Sequence, residues 1–168
     1  MSRRTAPAEI LSCERIQAKF GSYGVDVLES DAGRRVSSLY SLAAGEKICR
    51  TYAQVRFAPE IDPAFAAEHA RVLAGESIGT VFHSAGWAIA KRNRHIGETM
   101  LPDHGDEIVR LMRIEGTCKL ATHTYVFEIA KDGRRFDYAV ITELHHPAYL
   151  TAAELAGIYG EPGTARLR

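Results

Sequence analysis

Two strand-like stretches carry charged side chains where apolar ones are the rule. In "EKICRTYAQVRF", residues 46–57, extended alternation puts Cys49, Thr51, Ala53, Val55 and Phe57 on one face and Ile48, Arg50, Tyr52, Gln54 and Arg56 on the other. The first set reads as a core face. Arg50 is then left in mid-strand on the second, either solvated on an open sheet or aimed at an acceptor in a cavity. In "RRFDYAVITELHH", residues 134–146, the same rule sets Phe136, Tyr138, Val140, Thr142 and Leu144 against Arg135, Asp137, Ala139, Ile141 and Glu143. Glu143 thereby stands beside Ile141. A carboxyl group among apolar neighbours has its pKa raised, and a nearby arginine lowers it again. Such a pair is tunable for proton transfer, and it equally fits a structural ion pair between two strands.

Other polar residues form weaker patterns. His145 and His146 of "LHHP" are adjacent on a strand and point to opposite faces, so they do not share an ion. His69, His83, His95, His104 and His123 show no HxH or HxxxH spacing, and no metal is expected. "AKRNRH", residues 90–95, is a short basic run without interleaved aromatics, which does not predict a nucleic-acid surface. Arg92 and Arg94 share a face in it and have the spacing to line an anionic ligand's pocket instead. Cys49 lies on the apolar face and reads as an inert buried thiol. "GESIG" lacks the lysine and the strand-turn-helix frame of a phosphate loop and reads as a helix terminus.

The elements that must position these residues follow from periodicity. "AEILSCERIQAKFG" spaces Ile10, Leu11, Ile16 and Phe20 as a short amphipathic helix that ends at Gly21. "YGVDVLES", "RRVSSLYSL" and "KICRTYAQVRF" are three β segments joined by glycine-bearing turns of hairpin length. "IDPAFAAEHARVLAG" has an N-cap in Asp62, proline at the first helical position and helical spacing to Gly75. A shorter helical turn between Gly75 and Gly86 leads into the strand "WAIAKRNRHIGE", and "LPDHGDEIVRLMRIEG" reads as a loop with a helical turn. "CKLATHTYVFEIA" and "RRFDYAVITELHH" flank the Asp132-Gly133 hairpin signal, and Thr151 caps a last short helix. Strands in hairpin clusters with helices inserted between them predict an α+β domain on a six-stranded, mostly antiparallel sheet with helices on one face.

Composition bounds the rest. With 168 residues and 46% apolar content the chain makes one domain, residues 1–168, with loose ends at about 1–7 and 161–168. Lysine plus arginine balance aspartate plus glutamate at 21 each, so no bulk field draws nucleic acid or an anionic membrane, and a small-molecule or protein partner is expected. Cys13, Cys49 and Cys118 are odd in number and form no CxxC pair, which excludes a disulfide framework and a zinc knuckle. No apolar run approaches the ~18 residues of a membrane span, and "MSRRTAPAEILSCERI" has no unbroken signal-peptide core. A soluble cytoplasmic protein with reduced thiols is expected; the oligomeric state is not legible.

The order of motifs resembles a known family. A strand with an Arg-Thr pair, a helix carrying "AEHARVLAG", then "SIGTVF", a strand ending in "HIGE", and a hairpin ending in "ITELHHPAYL" are together similar to the chorismate pyruvate-lyase family. That family shares its fold with the ligand-sensing UTRA domains of GntR-type repressors, and the likeness spans roughly residues 14–150. It implies a six-stranded antiparallel sheet with helices. It also implies a cofactor-free, metal-free elimination that turns chorismate into 4-hydroxybenzoate and pyruvate inside a flap-covered pocket. Arg50 in "CRT" would then bind the ligand carboxylate, and Glu143 in "TEL" would be the acid or base on the leaving enolpyruvyl side. The resemblance further places a main-chain ligand contact at Arg94 and an apolar one near Ile16. On the same scaffold a non-catalytic domain that senses or carries a small aromatic carboxylate is the alternative.

Overall fold

The computed structural model describes residues 11–101, 106–116 and 118–160. The loose ends expected at about 1–7 and 161–168 lie outside the described residues. The described chain is an α+β fold on one antiparallel sheet of six strands in the order β1-β2-β3-β6-β5-β4. The strands are β1 (Gly24–Ser30), β2 (Arg34–Ala43), β3 (Glu46–Phe57), β4 (Ala88–Met100), β5 (Lys119–Lys131) and β6 (Arg134–His145). Two of the hairpins close with paired left-handed residues, Ala44-Gly45 and Asp132-Gly133, whose twist matches that of the flanking strands.

Among the described residues five α-helices accompany the sheet: α1 (Ser12–Phe20), α2 (Ala66–Leu73), α3 (Ile78–Ser84), α4 (Asp106–Met112) and α5 (Ala152–Tyr159). Asp62 accepts a hydrogen bond from the Ala64 amide and opens the turn that leads into α2, as its position before Pro63 predicts. Thr151 and Glu154 cap α5 reciprocally. The 101–116 stretch carries a helix, α4, where a loop with a helical turn was expected; Met112 in it is fully buried.

Most helices cover one face. Phe65, Val72 and Phe82 of the α2–α3 region pack on Val55, Phe127, Tyr138 and Ile141 of the sheet, while Ile16 of α1 meets Tyr149, Leu150 and Leu155 around α5. On the opposite face α4 sets Met112 against Val36, Cys49, Tyr52 and Leu120.

Strict alternation fails where the ladder bulges. Leu39 pairs with Thr51 and the next β2 residue, Tyr40, with Cys49, so Arg50 has no partner across β2. A bulge turns two successive side chains to one side, which sends Arg50 with Thr51 to the helix-covered face and Cys49 with Tyr52 to the α4 face. The expected grouping of Cys49 with Thr51, and of Arg50 with Tyr52, is thereby corrected. A second bulge at Tyr138, between the pairs Phe127–Ala139 and Glu128–Asp137, does the same in β6. Phe136 and Tyr138 join Ala139 and Ile141 in the helix-covered core, instead of facing away from them.

The thiols can be ranked by these positions. Cys49 is buried, and burial pushes its thiol up to about 11, whereas Cys13 and Cys118 are half-buried. A disulfide reagent at mildly alkaline pH is expected to modify Cys13 and Cys118 in the native protein and Cys49 only after unfolding. Three equally fast thiols would contradict this placement.

Candidate functional site

Between the helices and the sheet lies a cavity of about 570 Å³, counting the solvent in its mouth. Leu11, Ser12 and Cys13 at the start of α1 roof it together with Ile78 and Gly79 of α3. Its floor is sheet: Ala53 and Val55 of β3, Ile141 and Glu143 of β6, Tyr125 and Phe127 of β5. Arg35 of β2 and Lys91 of β4 bring positive charge to an otherwise mainly apolar and aromatic wall.

Arg35 is only 2% exposed. Its Nε donates to Ser37 Oγ at 2.8 Å, and its Nη1 donates to the carbonyls of Val72 at 3.0 Å and Glu76 at 2.7 Å. It therefore ties the C-terminal end of α2 and the turn that follows it to the sheet. No carboxylate among the described residues pairs with it, and burial lowers its pKa from the ordinary value. Lys91 donates to Ser12 Oγ at 3.2 Å, and its ammonium lies 5.0 Å from the Tyr125 ring centre. Both cations have donor capacity in reserve for an anion.

Glu143 is 4% exposed, and its Oε1 accepts a 2.8 Å hydrogen bond from the Tyr125 hydroxyl. Its Oε2 lies 3.4 Å from His145 Nε2. Burial works to raise the Glu143 pKa; the charge of Lys91, with His145, His123 and the Tyr125 hydroxyl, outweighs it and leaves the carboxyl below its ordinary value. The ionised form prevails at neutral pH.

Two histidines adjoin this carboxylate. His123 lies directly across the β5–β6 ladder from Glu143, and His145 lies two residues along β6 on the same face. The His145 ring is fixed by a 2.9 Å hydrogen bond between its Nδ1 and Thr51 Oγ1. The His123 ring stands between Tyr125 and Tyr159, at 4.7 and 4.6 Å between centres. Burial pushes both histidines down to about 4, against the opposing pull of Glu143, so both are neutral at neutral pH. Donor atoms of His123, Glu143 and His145 all lie within 4.8 Å of one another, close enough to share a metal ion.

Of the four residues singled out in the sequence, Glu143 lines the cavity. Arg50 does not: its guanidinium lies 3.8 Å from the centre of the Phe20 ring, and its Nε donates to Ser41 Oγ at 2.9 Å. Ile16 is fully buried in the α1–α5 cluster, apart from the lining. Arg94 occupies a bulge in the edge strand β4, between the pairs Asn93–Tyr125 and His95–Thr124, and is exposed. Arg92 is engaged by Glu128 and Asp137. The basic run thus does supply a cavity cation, but through Lys91. His145 and His146 point apart, His146 toward the Met112 carbonyl at 3.1 Å, yet His145 finds a second histidine across the sheet. That partnership needs strand register and is invisible to spacing along the chain, whereas the i, i+2 relation of Glu143 and His145 in "ELH" was a readable signal.

No protein-family model matches the chain, and no curated protein matches it. Among the described residues no helix is long and apolar enough to cross a membrane.

Proposed function

We propose that the cavity binds a small aromatic carboxylate and that the protein is a chorismate-lyase-like enzyme. One observation carries the reading: a mostly apolar cavity whose wall holds Arg35, a buried cation without a carboxylate partner among the described residues, and Lys91, together with the carboxylate of Glu143. An aromatic ring fits the apolar floor, and its carboxylate fits a buried cation better than water-exposed ones, because a low-dielectric site strengthens the pairing. In this reading Lys91 and Arg35 take the anchoring role that the family resemblance assigned to Arg50. Elimination removes one ring proton, breaks the ether C–O bond and releases pyruvate as its enol, with aromatisation of the ring as the driving force. Glu143 in its ionised form is the base for that proton, and positioning supplies much of the acceleration.

A binding domain without turnover is the second reading. It is favoured by the engagement of both Glu143 oxygens, one by Tyr125 and one facing His145. Purified protein is to be incubated with chorismate while pyruvate and 4-hydroxybenzoate release are followed. Wild type is expected to turn over, Glu143→Gln to lose turnover but keep 4-hydroxybenzoate binding, and Lys91→Met to bind about 10- to 100-fold more weakly through the lost charge-assisted contact. Protection of Cys13, a roof residue, from thiol reagents reports occupancy of the cavity directly. Binding without pyruvate release establishes the second reading; no binding and no protection of Cys13 refute both.

A further inference from the structure

The strand register assembles a donor set that the carboxylate-binding reading does not use in full. His123 and His145 are 1% and 2% exposed, and the Nε2 atom of each is buried with no hydrogen-bond partner among the described residues. Leaving a buried polar atom unpaired costs about 1–3 kcal/mol, so two of them side by side in one small cluster call for an explanation. Between them sits Glu143, whose Oε2 lies 3.4 Å from His145 Nε2 and which forms no ion pair with a lysine or an arginine among the described residues. An Nε2–H of His145 pointing at Glu143 across 3.4 Å would make a poor hydrogen bond, and it would leave His123 unexplained. A water molecule has the protons to satisfy both rings but brings no charge to the buried carboxylate.

We propose that His123, Glu143 and His145 form a binding site for one divalent transition-metal ion of the zinc type. Two imidazole nitrogens and one carboxylate oxygen are the donors that borderline ions prefer, and three protein ligands leave a coordination position for water or a ligand atom. The surroundings are those of a prepared site. Thr51 holds His145 through Nδ1, which directs Nε2 to the cluster, and Tyr125 holds the other oxygen of Glu143. The two tyrosine rings flanking His123 restrict its rotation. The inference stands independently of the chorismate reading, since metal occupancy requires no organic ligand; with an ion bound, Glu143 acts as a ligand rather than as a free base.

The test is a titration of chelator-treated full-length protein with zinc chloride, and in parallel with cobalt chloride, in the absence of any carboxylate ligand. One ion per chain is expected, with a raised melting temperature and a cobalt spectrum of low-symmetry coordination. Binding is expected to disappear in His123→Gln and in Glu143→Gln, to persist in His95→Gln, an exposed histidine outside the cluster, and to weaken about 10- to 100-fold in the positioning variant Thr51→Val. Should the ligand variants fail to fold, the wild-type protein decides alone: cobalt must shift the ring-proton resonances of two buried histidines together. Folded wild type that takes up neither ion, or that binds it unchanged in His123→Gln, overturns the proposal. Chorismate turnover is read separately, so either idea can fail without the other.

Discussion

Tyr138→Ala is expected to remove about 3–5 kcal/mol of stability, a large share of what a single domain of this size possesses. Tyr138 is fully buried at the centre of the aromatic core, with ring centres 4.6 Å from Phe82, 5.6 Å from Phe65 and 5.7 Å from Phe57. Its hydroxyl also makes a 2.7 Å hydrogen bond with His69 Nδ1. Truncation empties a ring-sized space between α3 and the sheet and strands that imidazole, and the surrounding rings cannot collapse to fill it without leaving their own contacts. Tyr138→Phe separates the two contributions and should cost only about 1–2 kcal/mol, the share of the hydrogen bond and its orphaned partner. Urea unfolding of both variants measures the difference. An alanine variant within 1 kcal/mol of wild type, by order of magnitude a surface effect, would mean that the cluster is not the structural centre.

Acidification should unfold the protein through the cavity floor. His123 and His145 have folded-state pKa values of about 4 against an ordinary value of 6.5, because burial disfavours the charged ring. Between those values the unfolded chain binds more protons than the native one. The stability is therefore fully present above about pH 6.5 and is lost as pH falls toward 4. The loss is on the order of a few kcal/mol for the two rings together, since charging one opposes charging the other. Urea midpoints of chelator-treated protein across this range, compared with those of His123→Gln and His145→Gln, provide the check. Each variant should flatten the slope, the remainder being carried by the other ring and by His69 and His146, whose pKa values burial also lowers; equal slopes in all three proteins would show that neither ring is buried in its neutral form.

The α+β class, the six strands, their hairpin turns and the caps at Asp62 and Thr151 were written in local sequence, because turns, caps and alternation depend on residues near one another in the chain. Glu143 was legible as well, since a carboxyl in an apolar strand stands out whatever lies opposite it. The missed α4 had a different cause: a seven-residue amphipathic helix gives too short a period to distinguish from a turn.

Which side chains meet was a matter of register. The Asp132-Gly133 turn pairs Lys131 with Arg134, and continuing that ladder without interruption would set His123 opposite Thr142; the bulge at Tyr138 moves the pairing by one residue and brings Glu143 there instead. The bulge at Arg50 likewise carries its guanidinium to Phe20, away from the cavity. A bulge is selected by packing on both faces of a sheet, which no single strand encodes. Sequence alone thus determined that there would be a sheet, covering helices and a carboxylate among apolar residues; tertiary structure decided that this carboxylate would face two histidines and share its cavity with Lys91 and Arg35, because only paired strands define a common face.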